Sequence, residues 1–130
     1  MSNKTNYWLE LCDEDILTAE VLLNTGRLLH MGFFCHQIIE KALKAVIADK
    51  TDGLPPKTHD LPKLADLGGI WEKLSAEQKG LIKKVIPLQI EARYPEYKEK
   101  IASALTVEFC SELLKETKGF LCWIKRLSEK

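Results

Sequence analysis

A chain of 130 residues is long enough to bury one apolar core without disulfides or a structural metal, and short enough to be one domain. Its 19 basic and 19 acidic residues cancel. This excludes a chain-wide attraction to nucleic acid or anionic membrane and leaves such binding to local patches. Cys12, Cys35, Cys110 and Cys122 are widely spaced, form no Cys-x-x-Cys pair and fall among apolar residues. They read as buried free thiols in a reducing compartment. The first residues lack the apolar core of a signal peptide, and no apolar run approaches the roughly 20 residues that span a bilayer. A cytoplasmic protein is expected.

The first predicted helix carries Leu9, Cys12, Ile16, Ala19 and Leu23 at spacings of three and four, with acids between them, and Gly26 is its stop. The second, from about Leu29 to Lys50, is apolar on two sides. Cys35, Ile38, Ile39, Ala42 and Val46 form one face and Leu43 and Ile47 lie on another, so this helix is expected at the centre. Pro55 and Pro56 break the chain after it. A short helix is predicted from near Thr58, as cap, through Leu61, Leu64, Ala65 and Leu67 to the Gly68-Gly69 stop.

Ser75 and Gln78 have capping-box spacing ahead of Leu81, Ile82, Val85 and Ile86, and Pro87 kinks or ends that helix. The last predicted helix, from about Thr106 to Leu127, places Val107, Cys110, Leu114, Thr117, Leu121 and Ile124 on one stripe. It starts acidic and ends basic, as the helix dipole favours. No strand, repeat or low-complexity tract is apparent. The fold class expected is all-α, an up-and-down antiparallel bundle of four long helices with short extra ones, in a single domain over residues 1–130.

The run Gln37-Ile38-Ile39-Glu40-Lys41-Ala42-Leu43-Lys44-Ala45 resembles the second helix of HEPN domains (higher eukaryotes and prokaryotes nucleotide-binding), with its Gln-x-x-Glu-Lys-Ala-x-Lys-Ala pattern. Thr58-His59-Asp60-Leu61 and Ala92-Arg93-Tyr94-Pro95 resemble the family's next two motifs, in the same order and on a compatible helical pattern. The resemblance covers nearly the whole chain. It implies a self-associating helical bundle, often encoded beside a small nucleotidyltransferase in toxin and antitoxin pairs, and many similar proteins are metal-independent ribonucleases. Those ribonucleases share an Arg followed four to six residues later by His. Here no histidine follows Arg93 at any position, and Arg27 and His30 are too close together to fit.

The residues that could carry chemistry each have a plainer reading. His36 and Glu40 are one helical turn apart and compatible with a metal, but two ligands do not make a site, and a half-buried histidine satisfied by a carboxylate explains them. No metal or cofactor is expected. His59 and Asp60 suit helix capping.

Arg93 offers a planar fork for phosphate, in a break between Pro87 and Pro95. In one reading Arg93 and Lys44 face a phosphate and Tyr94 stacks on a base, in a groove shared with Glu40; in the other, Arg93 pairs with Glu40 and pins the loop to the central helix. Lys73, Lys79, Lys83 and Lys84 near Trp71 read as a solvated face, and Trp8 and Trp123 as core or interface.

The function expected is therefore a non-catalytic module that engages a nucleotide or a nucleotidyltransferase partner. The alternative is a metal-independent ribonuclease or other nucleotide-acting enzyme with an altered site around Arg93, to which folding or a second subunit brings His36 or His59. RNA has no support from the composition. A homodimer is expected, through an apolar patch of Leu113, Phe120, Trp123 and Leu127 with Leu11 and Val21.

Overall fold

The computed structural model describes residues 3–51, 53–91 and 94–128. Its helices are α1 (Asn3–Asn24), α2 (Leu28–Lys50), α3 (Leu61–Leu67), α4 (Ala76–Val85), α5 (Pro95–Ala104) and α6 (Val107–Ser128), with single 3₁₀ turns at Trp71–Lys73 and Ile86–Leu88. No strand occurs among the described residues. The three long helices, α1, α2 and α6, form the body of the bundle, and the shorter ones close it.

Direction along the bundle alternates. The Thr5 hydroxyl lies 3.5 Å from the Ala45 carbonyl and the Cys12 thiol 3.5 Å from that of Ile38, so α1 runs antiparallel to α2. Lys118 meets Glu20 and Lys125 meets Asp13, which sets α6 antiparallel to α1. Helix α4 runs against α6, with Lys84 at 2.8 Å from Glu116 and Gln78 across a groove from Phe120.

The two-faced pattern of α2 has the expected result. An unbroken run from Cys35 to Ala48, apart from half-buried Gln37 and Lys41, is buried, and Ile38, Ile39, Ala42 and Leu43 have no exposed surface. Ile38, Ile39 and Leu43 each contribute about 1.5–3 kcal/mol by leaving water, and the smaller Ala42 contributes less.

Helices stop where glycine permits it. Gly26 (φ +76) and Gly69 (φ +72) take the left-handed conformation that closes α1 and α3. In each, the next amide reaches back over the last turn, Arg27 to the Leu22 carbonyl and Ile70 to that of Ala65. The Ser75–Gln78 capping box forms in both directions. Helix α4 ends at Val85, and Pro87 sits in the 3₁₀ turn that follows.

Four expectations need correction. Asp60, not Thr58, caps α3: its carboxylate accepts the Lys63 amide at 3.1 Å, while the Thr58 hydroxyl accepts the Asp60 amide at 3.2 Å. An acceptor two residues closer to the helix, in extended backbone, meets the free amides directly. Cys122 is exposed, although Cys12, Cys35 and Cys110 are buried as free thiols. Leu113 and Phe120 turn inward, at 1% and 2% exposed, because the apolar arc of α6 is wide enough to serve both α2 and α4. They cannot belong to an outer patch. Finally, α5 was not anticipated. Pro95 opens it with Glu96 in its first turn, and Ile101 and Leu105 pack on the core from an element with no fully buried residue.

Candidate functional site

Helix α2 carries His36, Glu40 and Lys44 at successive turns of one face. That face is turned inward, so all three polar groups are buried, at 1%, 4% and 8% exposed. A buried carboxylate demands partners, and Glu40 has them on both oxygens. Oε2 accepts from Lys44 Nζ at 3.0 Å, and Oε1 accepts from His59 Nδ1 at 2.8 Å, with His36 Nδ1 at 3.7 Å from the same oxygen.

The two histidines differ. His59 comes from the segment between α2 and α3, and its side chain is 54% exposed. Since an ionised carboxylate can only accept, Nδ1 of His59 carries the hydrogen, and Nε2 is the basic nitrogen when the ring is neutral. His36 is enclosed. Burial pushes its pKa below 6.5, and the neighbouring Glu40 carboxylate and the Gln37 side chain only partly oppose that, while His59 adds to it. The His36 ring is therefore neutral at pH 7, with Nδ1 at 3.4 Å from Gln37 Oε1.

Lys44 is held from two sides. Its ammonium pairs with Glu40 and also lies over the Trp8 ring of α1, 5.8 Å from the centroid. Trp8 is half-buried and meets Tyr7 edge to face, with centroids 5.8 Å apart. The Trp8, Lys44, Glu40, His59 series thus links the start of α1 to the segment before α3 through the central helix.

Of the residues singled out in the sequence, the fold unites Glu40, Lys44, His36 and His59. Arg93 lies outside the described residues. Tyr94 precedes the first turn of α5 and is 81% exposed. Asp60 caps α3, and no group of three His, Cys, Asp or Glu side chains among the described residues is arranged to hold a metal ion. Lys84 pairs with Glu116 and Lys79 lies over Trp71 at 4.8 Å, the behaviour of a solvated face. The sequence reading missed Trp8 as a member of the cluster. Its signal was that Trp8 and Lys44 belong to helices joined by a short turn, whose antiparallel packing brings the start of one to the end of the other.

The HEPN domain family model matches residues 5–127. The chain belongs to the HEPN domain family. No curated protein and no solved structure matches it. In this HEPN domain the Gln-x-x-Glu-Lys-Ala-x-Lys-Ala motif supplies the buried carboxylate and ammonium, and the Thr-His-Asp-Leu motif supplies the exposed imidazole that binds the carboxylate and the cap of α3. Two motifs that look separate in the sequence are thus one hydrogen-bonded unit. No helix among the described residues is long and apolar enough to cross a membrane.

Proposed function

We propose that this HEPN domain is a non-catalytic, self-associating binding module that engages a nucleotide beside the Glu40, Lys44 and His59 cluster and acts with a small nucleotidyltransferase in a toxin and antitoxin type of pair. The observation that carries this reading is that no histidine follows Arg93. The family's ribonuclease chemistry relies on that pairing. Arg93 and Tyr94 are the ligand-facing residues of the proposal, with Arg93 supplying a fork for phosphate. Its partner in solution is a second copy. Exposed Leu17 and Val21, one turn apart on α1, support that choice.

One observation favours the enzyme reading. His59, oriented by a buried carboxylate at 2.8 Å and more than half exposed, has the arrangement of a general base.

A single experiment separates the two: nucleotide binding and RNA cleavage measured on the same purified protein, with a chelator present. The expected result is weak nucleotide binding, reduced in Arg93→Lys without loss of folding, and intact RNA. Chelator-resistant cleavage that disappears in His59→Ala or Arg93→Ala would install the enzyme reading. Light scattering at micromolar concentration should give twice the chain mass. Co-expression with a nucleotidyltransferase encoded beside it should yield a complex that survives size exclusion.

A further inference from the structure

The three histidines stand in different surroundings. His36 is enclosed in the core, out of reach of a dissolved reagent. His30, near the start of α2, is exposed, and among the described residues no carboxylate bonds to it. His59 combines exposure with a partner: its ring is 54% exposed, while its Nδ1 is held at 2.8 Å by the buried Glu40 carboxylate.

The rest of the geometry keeps that ring in place. Lys44 occupies Oε2 of Glu40, which leaves Oε1 to His59. The Thr58 hydroxyl accepts the Asp60 amide and the Asp60 carboxylate accepts the Lys63 amide, so the backbone on the α3 side of His59 is tied down as well. Among the described residues no hydrogen bond reaches Nε2.

We propose that Nε2 of His59 is a phosphoryl acceptor, a modification site charged by small phosphoryl donors of the acyl phosphate or phosphoramidate class. The proposal does not depend on nucleotide binding. With the hydrogen on Nδ1, a neutral ring has its free electron pair on Nε2. Attack by that pair forms the Nε2–P bond and breaks the bond from phosphorus to the leaving group, which departs with its electron pair as a carboxylate or as ammonia. No proton has to leave the ring. The positive charge that develops there is shared with an Nδ1–H already bonded to the Glu40 carboxylate, which stabilises it. Glu40 is thus a positioning residue, and His59 the nucleophile. Acyl groups on imidazole are soon lost to water, whereas a phosphoryl group on Nε2 persists at neutral and alkaline pH, so a half-exposed ring retains the second and not the first.

The test is phosphorylation of the full chain by phosphoramidate at pH 8, and by acetyl phosphate in parallel, with the site read by peptide mapping and the nitrogen by NMR of labelled imidazoles. His30 is the control within the same molecule. His59 should gain its phosphoryl group on Nε2 at least about tenfold faster than His30 reacts, and His36 should react only after denaturation. Equal rates at His30 and His59, or phosphorylation of His59 on Nδ1, would overturn the proposal. Glu40→Gln, checked for folding by its melting curve, should bring the His59 rate down towards that of His30 and leave His30 unchanged. An undiminished His59 rate in that folded variant would overturn the part given to the carboxylate. The comparison of His59 with His30 in the parent decides the acceptor site without any variant.

Discussion

Nδ1 of His59 lies 2.8 Å from Oε1 of Glu40, a half-exposed ring bonded to a carboxylate that is 4% exposed. A surface residue thus completes the hydrogen bonding of the central helix, and the segment before α3 is fastened to the core through it. The cost of removing Glu40 follows directly. Glu40→Ala leaves the Lys44 ammonium buried without its anion and should destabilise the fold by about 3 to 5 kcal/mol. Combining it with Lys44→Met should recover a large part of that loss, as measured by urea unfolding of the two single variants and the double.

The His36 ring makes stability fall on acidification. Burial holds its folded pKa below the unfolded value of 6.5, so the unfolded chain takes up the proton first. The stability it secures is fully present above pH 6.5 and is lost as pH falls from there through the folded pKa. Denaturant midpoints measured at pH 7.5 and at pH 5 should therefore differ more in the parent than in His36→Gln.

Thiol reactivity should single out one cysteine. Burial pushes Cys12 and Cys35 up to about 12 and also raises Cys110, whereas Cys122 is exposed. A disulfide reagent at pH 8 should modify Cys122 rapidly in the native protein and all four cysteines after denaturation. Cys122→Ser should abolish the fast phase, and rapid labelling of a second thiol would contradict the packing around Cys12, Cys35 or Cys110.

Two glycines should respond to alanine with opposite sign. Gly26 has open space around it but sits at φ +76, so Gly26→Ala should cost roughly 1–2 kcal/mol of left-handed strain. Gly80 lies within α4, also in open space, so Gly80→Ala should stabilise by about 0.5–1 kcal/mol. Thermal melts read both.

Substitution on the inward face of α2 should be severe. Ile39 and Ala42 have no exposed surface, and Asp at either would bury an unpaired charge at a cost of several kcal/mol. Circular dichroism melts of Ile39→Asp and Ala42→Asp check this.

The fold was largely legible because the buried faces of α1, α2 and α6 follow the helical period and the stops use glycine and proline. Helix α5 was hidden because it buries no residue completely, so periodicity carried little signal there. In the cluster, His36, Glu40 and Lys44 could be grouped by turn spacing alone. The bond from His59 could not, since a contact over 19 residues depends on how the intervening segment folds back. The reading of Leu113 and Phe120 as surface failed because one helix seen alone does not reveal how many neighbours it has.

Three ion pairs join α1 to its neighbours with one polarity: Asp13, Asp15 and Glu20 provide the acids, and Lys125, Lys41 and Lys118 the cations on α6 and α2. The zero net charge conceals a division, since residues 1–24 carry five acids against one lysine and the remainder carries the matching excess of positive charge. Divided in the turn at Gly26, the chain becomes an acidic peptide and a basic remainder with complementary apolar faces. The two pieces should attract one another at low ionic strength and reassemble on mixing, progressively more slowly as added salt screens that attraction.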